Sequence, residues 1–187
     1  MVDCIILSVG VSLVFGCGAY AFGGDLNNLD PAFDFWTQMA EDGRINTLDI
    51  LQQNFETGEI PVGVIWSFTA IPYKDQITKY KLQANIPTDG SIMSGYASVI
   101  NKYAPHPCAA ALAREYIFSD EGQANLAAAG AIPTRTDVEI PDDIQNATFK
   151  SEDYANAIPM EDTDAYTKAC ETVVERWQEE ITPLLVQ

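Results

Sequence analysis

The residues best placed to do chemistry in this chain are aromatic rings beside hydroxyls, not acid–base or metal-binding sets. In Trp66-Ser67-Phe68-Thr69 an apolar run ends on a ring and a helix begins on hydroxyls. The free backbone N–H groups and positive end of such a helix favour an anionic or polar group. Trp66 can equally be a core tryptophan, with Ser67 only capping the helix. In Ile92-Met-Ser-Gly-Tyr96, Ser94 offers a hydrogen-bond donor and Tyr96 a flat wall, although both can pack as ordinary strand residues. Thr134 and Arg135 follow a helix, where Arg135 can pair with a carboxylate or phosphonate.

No catalytic signature competes with these groups. The sequence has no G-x-S-x-G, H-E-x-x-H, phosphate-binding loop or dinucleotide glycine pattern. His106 is the single histidine and lies between Pro105 and Pro107, so it reads as a turn residue and cannot anchor a histidine-based metal site. Cys4, Cys17, Cys108 and Cys170 show neither C-x-x-C nor zinc spacing. They are expected to be small buried apolar residues, with one disulfide as the alternative. Neither a metal nor a cofactor is expected.

Several elements must position those groups. Asp30-Pro31 is expected to cap and open a helix whose Phe33, Trp36 and Ala40 share a face, ending at Gly43. Asn46 or Thr47 is predicted to cap a second helix, with Leu48, Leu51 and Phe55 on one face and Gly58 as its stop. Pro61–Trp66 reads as a strand covered on both faces, and Ser67 opens a helix through Gln76. Leu82–Ile86 and Ile92–Ile100 read as strands around a Pro87–Gly90 turn. An alanine-rich helix then follows a turn held by Pro105 and Pro107, and a further helix runs from Ser119 to Gly130. Residues 136–164 carry nine acidic side chains against Lys150 alone and read as an exposed, loop-rich connection. A final helix from near Thr163 repeats Tyr166, Cys170, Val173, Trp177 and Ile181 on one stripe, which calls for a core beneath it. Alternating helices and short apolar strands give an α/β class with a largely parallel sheet.

Composition sets the outer bounds. A chain of 187 residues with 47% apolar and 20% charged side chains can bury a proper core. The net charge of −17 argues strongly against nucleic acid as a partner, since phosphate binding draws on clustered Lys and Arg and only ten are present. A basic ligand is one reading of that acidity, and a solvated acidic surface is the other. The apolar run Cys4–Phe15 follows Met-Val-Asp, and the first basic residue is Arg44. A buried helix is therefore favoured there over a secretory signal.

Five fragments occur in a suggestive order. They are Gly23-Gly-Asp-Leu-Asn-Asn-Leu-Asp-Pro31, Gly58-Glu-Ile-Pro-Val-Gly-Val-Ile-Trp66, Ile86-Pro-Thr-Asp-Gly90, Phe118-Ser-Asp-Glu-Gly-Gln123 and Gly130-Ala-Ile-Pro-Thr-Arg135. From about Gly23 to Gln187 the chain resembles the extracellular solute-binding proteins of ABC importers, of the type II periplasmic-binding-protein-like fold. The resemblance implies a two-lobed α/β clamp that closes on a solute, an ABC permease as partner, and a periplasmic or cell-surface location. It also implies that residues 1–90 supply the later part of the second lobe. Residues 91–187 would be the returning segment that completes the first lobe, with the C-terminal helix.

Relatives are longer at the N-terminus, so an incomplete two-lobed architecture is expected, with self-association or poor solubility through uncovered faces. The resemblance puts a ligand-contacting aromatic at Trp66 and the inter-lobe crossing at Ile92–Tyr96. Polyamine-binding relatives carry an aromatic and a carboxylate there, whereas this chain has Met93, Ser94, Gly95 and Tyr96. Ferric relatives use adjacent tyrosines, and no Tyr-Tyr pair exists here. The candidate ligand contacts are thus Trp66, Ser67, Thr69, Met93, Ser94, Tyr96 and Arg135, with a neutral, zwitterionic or anionic solute favoured. The alternatives are a non-binding structural or interaction remnant, or an enzyme domain that borrows the fold.

Overall fold

The computed structural model describes residues 5–7 and 11–185, with side chains from Phe15 onward. Two parallel ladders organise it. In the first, β1 (Ile5–Leu7) lies between β2 (Ile45–Asn46) and β3 (Val62–Val64), with Ile5 opposite both Ile45 and Val62. In the second, β4 (Ile92–Met93) pairs with β5 (Ile158–Pro159). Parallel pairing needs crossover connections, and these ladders are joined through helices as the α/β reading requires.

The main core forms where α1 (Val11–Ala21), α2 (Asp30–Glu41) and α8 (Thr163–Arg176) pack together. Phe15, Phe33, Trp36 and Ala40 meet Ala169, Val173 and Ile181 there. Phe15 and Phe33 lie 4.6 Å apart between ring centroids, and Trp177 meets Phe15 edge-on at 5.6 Å. The expected α2 face meets this core, as do Val173, Trp177 and Ile181 of the C-terminal stripe, whereas Tyr166 and Cys170 are half-buried outside it. Arg176 fastens α8 to α2 by bonding Asp30 at 2.8 Å while its guanidinium sits 3.8 Å over the Phe33 ring. A smaller core gathers Ile50, Phe55, Ile60 and Ile77 under β3.

Several local expectations change. The segment Cys4–Phe15 is not one helix: Ile5–Leu7 is the central strand, and a helix begins at Val11. Residues 1–4 and 8–10, Cys4 among them, lie outside the described residues. Leu29, not Asp30, occupies the cap of α2, which leaves Asp30 free to bond Arg176. Asn46 closes a turn by accepting from the Leu48 amide at 2.9 Å, so α3 starts only at Gln52 and runs to Thr57. Leu48 and Leu51 are then exposed and Phe55 alone is buried. β3 is half-buried along its length because it lies at the edge of its sheet. No ladder forms over Leu82–Ile86, and of Ile92–Ile100 only β4 pairs, since no strand lies beside the remainder among the described residues. Cys108 is exposed, while Cys17 and Cys170 are half-buried and free.

The second half opens with α5 (Pro107–Ile117) and α6 (Asp120–Ala128). Ser119 caps α6 as its sequence predicts, its Oγ accepting from the Gly122 amide at 3.1 Å. The acid-rich connection holds more structure than expected: α7 (Asp142–Ala147), a 3-10 turn at Ser151–Tyr154, and β5. After α8 the chain passes through a π-helical turn, Trp177–Ile181, before a last turn at Thr182–Leu185.

Candidate functional site

The site is built where α4 (Ser67–Gln76) leaves β3. Trp66 is the cap residue with extended backbone, and its carbonyl accepts from the Thr69 and Ala70 amides. Ser67 is therefore the first helical residue and not the cap. Its side chain is released for other use and faces the Tyr154 hydroxyl. Burial pushes the Tyr154 phenol up, the facing Ser67 opposes that rise, and the Asp153 carboxylate adds to it.

Three rings converge at this helix start. Trp66 and Phe68 stack with 15° between their planes and 6.1 Å between centroids. Tyr96 leans against both, 6.3 Å from each, at 58° to Trp66 and 70° to Phe68. The last β3–α4 junction and the segment after β4 thus share one aromatic surface. Trp66 and Phe68 are half-buried, whereas Tyr96 remains 82% exposed and presents most of its ring to solvent. Such a surface takes C–H groups or flat solutes, and its mixed ring planes grip more than one face of a small molecule.

Two glycines hold the surface in place. Gly130 follows α6 with φ +89°, and a Cβ there would lie 3.1 Å from the Phe68 Cα. Only glycine combines that left-handed backbone with so close an approach. Gly90 does the corresponding job before β4, because a Cβ on it would collide with the Cys17 carbonyl of α1. β4 is then fastened to β5 as the Ile158 amide donates to the Ser91 carbonyl at 2.9 Å and the Met160 amide to Met93 at 3.1 Å.

The structure brings Trp66, Ser67 and Tyr96 together, with Thr69 half-buried in the same first helical turn. Met93 and Ser94 lie on the exposed chain leading to Tyr96. Arg135 is committed elsewhere. It bonds Asp120 at 2.8 Å, Asp137 at 2.7 Å and the Phe118 carbonyl at 2.9 Å, while its amide donates to the buried Gln123. Its guanidinium therefore has its anions already. Phe68 and Tyr154 were not singled out in the sequence. Phe68 had a signal, being an aromatic two residues after Trp66 in a helix start; Tyr154, inside an acidic connection, had none. A cleft of about 420 Å³ runs between Asn85, Thr88, Phe149 and Asp153 and holds none of the three rings. The larger depression, about 740 Å³ around Gln52, Gln76 and Lys79, holds none of the three rings.

No cluster of acidic, histidine or cysteine residues fit to hold a metal occurs among the described residues, and no described helix is long and apolar enough to cross a membrane. The family model for the bacterial extracellular solute-binding proteins matches residues 10–158. The chain belongs to that family. The match spans α1 to β5 and contains all three rings, as well as Gly90, Gly130 and Tyr154. No curated protein matches the chain. Membership implies binding of a small solute outside the cytoplasm and contact with a transporter, in a periplasmic-binding-protein-like fold. Solute-binding proteins of this kind are typically not catalysts.

Proposed function

We propose that this chain is the solute-binding component of an ABC importer, working in the periplasm or at the cell surface. It holds a small polar solute against the surface formed by Trp66, Phe68 and Tyr96. In this reading residues 1–90 supply the later part of the second lobe and residues 91–187 the returning segment, whose C-terminal helix packs back on α1 and α2. Together they belong to a two-lobed clamp that acts by closing on its solute. The observation that carries the reading is the meeting of Trp66 and Tyr96 at 6.3 Å, from segments 30 residues apart along the chain, beside a helix start.

The rings contribute dispersion and hydrophobic contact. Ser67, Ser94, Thr69 and the Tyr154 hydroxyl contribute hydrogen bonds, and Met93 flanks the approach to Tyr96. The engaged state of Arg135 removes the cation expected for a carboxylate or phosphonate, so neutral and zwitterionic solutes are favoured over anionic ones. A thermal-shift and calorimetric panel of neutral, zwitterionic, anionic and diamine solutes tests the reading. At least one neutral or zwitterionic solute is expected to raise the melting temperature. Trp66→Leu, which removes stacking contact of about 0.5–1.5 kcal/mol, is expected to weaken that binding by up to about tenfold. A panel in which nothing shifts, or affinities indifferent to Trp66 and Tyr96, overturns it.

A further inference from the structure

From Met93 to Phe118 not one residue is buried, although the segment is rich in Val, Tyr, Leu and Ala. Val99, Tyr103 and Leu112 are 84%, 81% and 72% exposed, and Tyr116, Ile117 and Phe118 are also exposed. Two physical problems follow. An eleven-residue helix such as α5, with no buried face, is marginal in water by itself. In the stretch before it, residues 94–100 donate no backbone hydrogen bond to any described residue, so an extended, uncharged edge lies open.

We infer that this arm is an interface between two copies of the chain, arm packed against arm. Its charge singles out a second copy's arm as the occupant. Between Met93 and Phe118 the only charged side chains are Lys102, Arg114 and Glu115, in a chain whose net charge is −17. Glu115 of each arm is balanced by Lys102 and Arg114, so two arms meet with little net charge, whereas the remainder of each copy carries the net negative charge. The area also suffices. The exposed parts of Val99, Tyr103, Leu112, Tyr116, Ile117 and Phe118 amount to roughly 800 Å², about what each partner contributes to a standard interface. Leu112 and Tyr116 are one turn apart and share a face of α5, so they pack together. The open backbone of residues 97–100, beyond the solute-facing Tyr96, is completed by the same stretch of the partner copy.

Sedimentation velocity on the full chain tests this. A concentration-dependent dimer is expected at tens of micromolar. Because the arms are near neutral and the remainder of each copy is acidic, added salt is expected to tighten it by screening the repulsion between the two bodies. Leu112→Glu and, off the helix, Val99→Glu are each expected to raise the dimer dissociation constant at least about tenfold. Both positions are exposed in the single chain, so far-UV circular dichroism is expected to stay unchanged. A chain that remains monomeric, a dimer that neither substitution weakens, or open-ended oligomers would each overturn the inference.

Discussion

Two apolar, helix-bearing regions of this molecule meet opposite fates. The core of α1, α2 and α8 draws its residues from both ends of the chain, and Phe15, Phe33, Val173 and Ile181 disappear from solvent there. The arm from Met93 to Phe118 is no poorer in apolar side chains, yet the described residues of its own copy bury none of it. The difference lies outside the helices themselves. An apolar stripe makes a face, but burial needs a second surface at the right distance, and α2 has α1 and α8 where α5 meets chiefly Gly122, Gln123 and Asn125 of α6.

The sharpest way to break that comparison is to truncate one residue in each region. Phe33→Ala is expected to cost about 3–5 kcal/mol of stability in chemical denaturation, through lost burial and an unfilled cavity. Leu112→Ala, measured at a concentration where the chain is monomeric, is expected to stay within about 0.5 kcal/mol. Equal effects would mean that the arm is buried in the single chain.

A smaller effect is expected where the two halves touch at the site. Gly130→Ala forces a side chain into a left-handed backbone and against Phe68, which is expected to cost about 1–2 kcal/mol. It is also expected to weaken solute binding without altering α2 or α8. Thermal melts paired with calorimetry would separate the two losses.

The smallest effect concerns the surface latch at Arg135. The guanidinium holds the Asp137 carboxyl below the usual carboxylate range. A depressed carboxyl stabilises the fold above its unfolded pKa, and that contribution is lost as pH falls through the lower, folded value. Melting temperature is thus expected to fall below about pH 4, with a shallower fall in Asp137→Asn. Identical pH profiles for the two proteins would remove the latch from the account.

Much of the helical framework was legible because its signals are local. Ser119 caps α6 and the turn at Gly130 ends it, while Val173, Trp177 and Ile181 meet the core at the spacing the sequence displays. Capping and periodicity act within a few residues, so the chain displays them directly. Strands were less legible. Ile5–Leu7 lay hidden in an apolar run that also suits a helix, and Ile92–Ile100 looked like one long strand although only two residues pair. A strand exists only where a neighbour supplies hydrogen bonds, and no local signal records the neighbour. The site divides in the same way. Trp66, Ser67 and Tyr96 stood out by type and position, whereas Arg135 looked free until Asp120, Asp137 and the Phe118 carbonyl closed around it. Tyr154 reached Ser67 from a segment with no distinguishing pattern.

The amino-acid order alone determined many of the helix stops and starts, the acidity and the family-like succession of motifs. These depend on residue type and short spacing. Tertiary structure alone decided which rings meet, which cation is already occupied and which apolar stretch goes uncovered. Those outcomes are set by surfaces far apart along the chain, whose approach is governed by packing and backbone clearance at positions such as Gly90 and Gly130.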